Sequence, residues 1–442
     1  MNDFDTIVIG SGAGGLTAAL ALAQSGQKVL VLEQHYLPGG WCQTFALEGY
    51  KFSPGVHYIG EIGPGGQMRA IFEGLGLSQD ISFYELNPDG FDHILIGGER
   101  FDIPKGRAAF AERLKSRFPR EARGIDGYLT TTERLGRELA TAMDIQSWRD
   151  ALLLPFRAPK LMRWGLFSTQ SLINSHVRDP KLRAVFASQC GDHGLPPSMA
   201  PAPLHAAVSS HYFGGGFYPK GGGGAIPRAF IRALRRAGGE IRVRTPVSSI
   251  VMEGRRAVGV RLADGTLLRA TNVISNADPH MTFERLVGRE HLSRRLRSKL
   301  AKTSYSISAI SLFLAADVDR KITGEHTPWR RFRLLTGRCF ASGRQASSAT
   351  DRKATKRSKR LFRSECCARS ARSFRVSKSA LCSRTSQRRL PICTTLQPPR
   401  EIFTAPRRRC RMLAHSRIKS KRKSRGSGSP AQVPSHTVSW AS

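Results

Sequence analysis

The chain has 442 residues, with 70 Lys and Arg against 33 Asp and Glu for a formal net charge of +37, and 8 cysteines. No apolar run reaches the roughly 18–20 residues of a membrane-spanning helix. Six of the eight cysteines fall in the last quarter without paired CxxC or Cys/His ligand spacing, so a zinc module is not expected and the metal expectation is none.

The charge is unevenly placed. Residues 321–442 hold 31 Lys and Arg against 4 Asp and Glu, a net of +27, which leaves +10 for residues 1–320. Six cysteines (Cys339, Cys366, Cys367, Cys382, Cys393 and Cys410) lie in that last stretch. Only Cys42 and Cys190 precede it, which suits a reducing compartment. Asp3 and Asp5 ahead of the first apolar run argue against a secretory leader. The expected localisation is cytoplasmic.

In chain order, Thr6-Ile7-Val8-Ile9 is a β-branched run ending at Gly10, the pattern of a buried parallel strand. Gly10, Gly12 and Gly15 then form G-x-G-x-x-G. Leu16, Ala19, Leu20 and Ala23 repeat at helical spacing up to a stop at Gly26. Lys28 to Leu32 reads as a second strand ending on Glu33. In this register Gly10 makes the tight turn, Gly12 admits a pyrophosphate and Gly15 lets helix pack on strand. The helix N-terminus would hold the phosphates. Glu33, 23 residues after Gly10, stands where an acid accepts both ribose hydroxyls and repels a 2′-phosphate. Gly39-Gly40 offers a second close backbone approach to the cofactor, or an ordinary turn after Pro38.

The stretch 147–167, SWRDALLLPFRAPKLMRWGLF, interleaves Trp148, Leu152–Leu154, Phe156, Leu161, Met162, Trp164 and Phe167 with Arg149, Arg157, Lys160 and Arg163. It reads either as a segment lying in a bilayer interface or as a helix pair covering a core with solvated charges. Further on, Ile226, Ala229, Phe230, Ala233, Leu234 and Ala237 mark one helical face stopped by Gly238-Gly239. Strands follow around Val247–Val251, Ala257–Leu262 and Leu267–Ile274, with turns at Gly254 and Asp264-Gly265. The run Ile307 to Ala316 is half a membrane span and fits a buried strand.

Two blocks carry a family resemblance. They are GSGAGGLTAALALAQSGQKVLVLEQHYLPGGWCQTF with GYKFSPGVHYIG (49–60), and YPKGGGGAIPRAFIRALRRAGG through NVISNADP (218–279). Together they resemble the FAD-dependent phytoene desaturases, carotenoid isomerases and retinol saturases. The resemblance implies a Rossmann-like α/β FAD-binding domain with an inserted substrate lobe. It also implies FAD, and an oxidoreductase that desaturates, saturates or isomerises carbon–carbon double bonds of a lipophilic polyene. The cofactor residues it implies are Gly10, Gly12, Gly14, Gly15, Glu33, Gly39, Gly40 and Val247, with the glycines at 221–224 near the flavin. His57, beside Tyr58, falls on the segment that the family places near the isoalloxazine. It is the catalytic candidate, for orienting substrate or relaying a proton, against the alternative of a satisfied structural histidine. A polyene dissolves only in membrane, so 147–167 becomes a candidate doorway, peripheral on the inner face.

The expected domains are 1–66 and 216–320 for FAD binding, the latter opening a further part of the substrate lobe, which is itself expected at 67–215. Residues 321–442 are expected to form a basic, low-complexity, disordered tail. Such a tail attracts polyanions without selectivity. The resemblance stops near residue 320, and the family's later glycine-rich segment, which closes the flavin site, is missing. An abrupt change to Arg, Ser, Pro and Cys inside an unfinished domain is what a reading-frame shift would give, and such a chain would be inactive. The rival readings are a nucleic-acid-binding protein acting through the tail, without a recognisable RNA- or DNA-binding module, and a non-catalytic nucleotide-binding remnant.

Overall fold

The structure, a computed structural model, describes residues 2–47, 49–305, 309–316, 333–340 and 393–396. It begins with strand β1 (Phe4–Ile9), helix α1 (Ala13–Gln24) and strand β2 (Val29–Leu32). Both strands are buried almost throughout, because a parallel strand with layers on each face needs apolar side chains in both directions. Helix α1 lays Leu16, Ala19, Leu20 and Ala23 into the core. Burial of each of the two leucines contributes about 1.5–3 kcal/mol.

The chain returns to this sheet through helix α2 (Ala225–Arg236) and strands β3 (Glu240–Arg242), β4 (Val247–Glu253), β5 (Arg256–Leu262) and β6 (Leu267–Ser275). The six strands take the order β4-β5-β6-β1-β2-β3. Strand β1 pairs parallel with both β6 and β2, and β2 pairs parallel with β3. The β4-β5-β6 meander is antiparallel. The α/β expectation is met, with one addition. Strand β3 has only three residues, Glu240-Ile241-Arg242, too short and too charged to show as a strand in sequence, yet it closes the β2 edge.

Between the two halves lies a helical lobe. Its 22-residue helix Ala122–Met143 packs against Ala202–His211. Tyr128, Leu129, Leu135, Leu172, Leu182 and Phe186 share its core. Helix Trp148–Arg157 starts in a reciprocal cap between Ser147 and Asp150, and Pro155 lies inside it. None of its residues is buried. Helix Pro159–Trp164 follows.

The chain falls into two compact units, the first built on Met1–Ile307. Arg333–Phe340, Ala309–Ala316 and Cys393–Leu396 form a sheet in that order, the last two antiparallel. The strand expected across 307–316 is present as Ala309–Ala316. The disordered-tail expectation for 321–442 falls mainly outside the described residues. Within that range, the described segments 333–340 and 393–396 are strands. No helix among the described residues is long and apolar enough to cross a membrane.

Candidate functional site

The glycine-rich turn sits where β1 ends and α1 begins, and β2 delivers Glu33 beside it. Glu33 is buried at 8% exposure. The Ser11 N–H and hydroxyl both donate to Glu33 Oε2, at 2.9 and 2.6 Å, and the His35 N–H donates to Oε1 at 2.8 Å. A carboxylate has about four acceptor directions. Three are taken, so one remains, on Oε1. Glu33 therefore has room for one ribose hydroxyl rather than the two expected from sequence. Ser11 in turn accepts the Gly39 N–H at 3.0 Å, so one hydroxyl ties the first glycine turn, the acid and the second glycine pair together.

The glycines form a cradle that side chains would fill. A Cβ on Gly12 would lie 2.7 Å from Asn276 Nδ2, and one on Gly14 2.9 Å from Asn276 Oδ1. A Cβ on Gly15 would collide with the Gly10 carbonyl, and one on Gly40 would lie 3.1 Å from the Gly12 Cα. Gly39 has φ +112° and would press a Cβ onto Pro227 at 2.6 Å, so only glycine suits it. Gly12 caps α1 without a side-chain bond, which leaves the first-turn N–H groups and the helix dipole available to an anion. These features fit a dinucleotide held by Gly10, Gly12, Gly14, Gly15, Glu33, Gly39 and Gly40, all of which the structure gathers at this one corner. Val247 stands at the start of β4. Its neighbour Thr245 donates its N–H to the Glu33 carbonyl at 2.8 Å, so the 242–247 backbone borders the acid.

Sequence reading missed Ser11 and Asn276. Ser11 occupies an unspecified position of the motif. Asn276 follows β6, about 260 residues after the glycines, and its N–H donates to the Ile9 carbonyl at 2.8 Å. Only the strand pairing β1–β6 brings it over the turn.

Glycines 221–224 open α2. The Gly223 and Gly224 N–H groups donate to Ser53 Oγ at 3.1 Å and Thr44 Oγ1 at 2.8 Å. A Cβ on Gly223 would sit 3.0 Å from Val56. Residues 53–60 therefore run from this glycine segment into the helical lobe.

His57 belongs to the lobe end of that run and not to the glycine corner. Its Nε2 lies 3.7 Å from Asp192 Oδ1, and its ring stands edge-on to Tyr58 at 4.6 Å. Tyr58 donates to Asp92 Oδ2 at 2.7 Å and stacks edge-on with Tyr212 at 4.9 Å. The Gly60 N–H donates to His211 Nε2 at 2.9 Å, and Glu61 lies 3.8 Å from His211 Nδ1. Burial, reinforced by Asp92, holds the Tyr58 phenol protonated far above the usual tyrosine range, and burial with Asp192 does the same for Tyr212. Burial lowers His211 below an ordinary histidine, against the pull of Glu61. The result is a buried aromatic cluster whose phenols stay protonated and whose His211 favours the neutral imidazole. Asp92, Asp192, His211 and Tyr212 carry no mutual spacing that a sequence would reveal.

Within 147–167 the apolar side chains divide. Trp148, Leu152 and Phe156 are 72%, 68% and 83% exposed. Trp164, counted with them in the sequence, is buried and packs on Phe167 and His176. Helical phase turns Trp164 inward while the preceding helix keeps its apolar side outward.

The family model for flavin containing amine oxidoreductase matches residues 13–317. An all-trans-retinol 13,14-reductase of Danio rerio is 32% identical over 73% of this chain and 55% of its own length. A chloroplastic prolycopene isomerase of Daucus carota is 28% identical over 72% and 53%. An oxidoreductase from Methanosarcina mazei has a similar fold at TM-score 0.51, with 24% identity over 71% of this chain and 69% of that one. The chain thus spans about half the length of the curated relatives it matches.

Proposed function

The chain belongs to the flavin-containing amine oxidoreductases, and from that premise we propose an FAD-dependent oxidoreductase acting on carbon–carbon double bonds of a lipophilic, carotenoid- or retinoid-type polyene. The cofactor expectation, FAD, agrees with the family. What carries the substrate reading is the likeness to the retinol reductase and prolycopene isomerase. The chemistry supplied at such a site is two-electron exchange with carbon, for which a protein chiefly positions and dries the reactants.

The chain's own residues divide the work. First-turn N–H groups of α1 would hold the diphosphate, the free direction on Glu33 Oε1 would take a ribose hydroxyl, and the backbone at Val247 would border the adenosine end. The buried aromatic cluster of Tyr58, Phe91 and Tyr212 beside His57 offers an apolar neighbour suited to a polyene. His57 orients the substrate beside it. The exposed Trp148, Leu152 and Phe156, flanked by Arg149 and Arg157, rest on an anionic membrane face as the entry for a substrate that does not dissolve in water. Its place is then peripheral, on the inner face.

A second reading has one observation in its favour. The family match ends at residue 317, where the composition changes, so the chain is a shifted-frame remnant that binds nucleotide without turnover. Retinoid and carotenoid substrates presented in liposomes with FAD separate the two. Conversion that disappears in Gly12→Val supports the oxidoreductase. Stoichiometric FAD binding without any conversion supports the remnant.

A further inference from the structure

Behind the aromatic cluster beside His57, three ligand-type side chains converge. Cys190 and His193 share one helical turn (Cys190–His193), where positions three apart face the same way. His205 comes from helix Ala202–His211 and is fully buried. Cys190 Sγ lies 3.5 Å from His205 Nδ1, and His193 Nε2 lies 3.4 Å from the same atom. All three ligand atoms lie within 4.8 Å of one another.

The protons do not fit this arrangement well. His205 Nε2 lies 2.9 Å from the Phe186 carbonyl, an acceptor only, so Nε2 carries the proton and Nδ1 presents a lone pair. That single lone pair faces both a thiol and a second imidazole. Only one of them can donate to it well. A cation between the three would take the lone pairs of His205 Nδ1, His193 Nε2 and the Cys190 sulfur at once, with the proton of His193 on its Nδ1. The two separations to His205, 3.5 and 3.4 Å, match a tetrahedral centre, in which metal–nitrogen bonds of about 2.0–2.1 Å and a metal–sulfur bond of about 2.3 Å hold the ligand atoms about 3.3–3.6 Å apart. The Phe186 carbonyl would be the outer-shell acceptor that fixes the tautomer and ring of His205.

We propose that Cys190, His193 and His205 bind a zinc-class divalent metal, with water in the fourth position. One thiolate with two imidazoles is a borderline-soft set that favours such ions over magnesium or calcium. On binding, the Cys190 thiol gives its proton to solvent as sulfur becomes a ligand, and no electron is transferred. The metal ties the turn that carries Asp192 to the helix that ends in His211, the two elements standing against His57 and Gly60. It therefore has a structural role at the back of that cluster, whatever the substrate in front of it. The pair Cys190-x-x-His193 and the lone His205, twelve residues on, lack the second cysteine or histidine pair by which a sequence signals zinc, so the expectation of no metal is revised.

The test uses the full chain with Cys339, Cys366, Cys367, Cys382, Cys393 and Cys410 replaced by serine, which removes competing thiols. Titration with cobalt(II) is expected to give one equivalent of a tetrahedral, thiolate-ligated spectrum that zinc displaces. Cys190→Ser is expected to abolish the sulfur-to-cobalt band, and His193→Gln or His205→Gln to weaken binding at least tenfold. Cys42→Ser should leave it unchanged. No saturable band in the parent protein, or an equal band in Cys190→Ser, overturns the site and leaves a thiol–imidazole hydrogen bond. Because His205→Gln also removes the buried bond to the Phe186 carbonyl, the near-isosteric Cys190→Ser decides, with circular dichroism confirming its fold.

Discussion

Glu33 shows how much a single residue type at the right distance can establish, and what it leaves open. Its place after the second strand was legible, because an acid following a β-G-x-G-x-x-G-α-β register has few other uses. Its three protein hydrogen bonds were not, because Ser11 and His35 fill positions that any residue can occupy in the motif. They bear on a direct prediction. Glu33→Gln keeps the shape but sets an amide NH2 against the Ser11 or His35 donors. Loss of about 1–3 kcal/mol in urea unfolding is expected, since donors to a charged group are left facing a donor. FAD affinity should fall roughly tenfold or more, a tenfold change being about 1.4 kcal/mol. Unchanged stability and unchanged flavin titration would show that the carboxylate is not the organiser of this corner.

Among the elements, those with strong periodicity were readable almost to the residue. Helix α2 was expected from Ile226, Ala229, Phe230, Ala233, Leu234 and Ala237; it buries the first five together with Ala225 and Pro227, while Ala237 caps its end and is only partly buried. Its tertiary anchor was not readable, because Asp80 lies about 150 positions upstream. Asp80 accepts from Arg232 Nε at 2.8 Å and from Arg236 Nη1 at 3.1 Å. The hydrogen bond from Arg236, with help from Arg232, holds the Asp80 carboxyl below the usual aspartate range. A carboxyl lowered in the folded state contributes stability above its unfolded value near 4, and that contribution is lost as pH falls toward the folded value. Asp80→Asn should therefore be less stable than the parent by about 1 kcal/mol at neutral pH, the scale of a solvent-screened ion pair. The difference should shrink below about pH 4. A gap that persists at pH 2.5 in denaturant titrations would rule out this linkage. Helix Trp148–Arg157 makes the converse point, since composition alone could not say which side faces out. Replacing Trp148, Leu152 and Phe156 together with serine should cut binding to anionic liposomes at least fivefold while leaving the melting temperature within a few degrees, because all three are exposed. Equal liposome binding would assign that face to something other than lipid.

For the molecule as a whole, the boundary near residue 320 was visible as a change in charge and apolar periodicity, and the family match ends close to it, at residue 317. What sequence could not supply was the joining of parts far apart in the chain: β6 against β1 with Asn276 over the glycine turn, or Asp192 beside His57. The net +27 of residues 321–442 makes polyanion binding an expected property of any such sequence, since neutralised phosphates release counterions. Full-length protein titrated with several RNAs and duplexes should show affinity that falls steeply with salt and no preferred ligand; selectivity surviving above physiological salt would promote the nucleic-acid reading. The most direct measurement of the central claim is equilibrium binding of FAD and of NADP to the full chain, followed by flavin absorbance and fluorescence and repeated with Gly12→Val. One FAD per chain, no competition by NADP, and at least a hundredfold loss of affinity in the folded Gly12→Val protein are predicted. Tighter binding of NADP, or FAD affinity unchanged by that valine, would contradict the account.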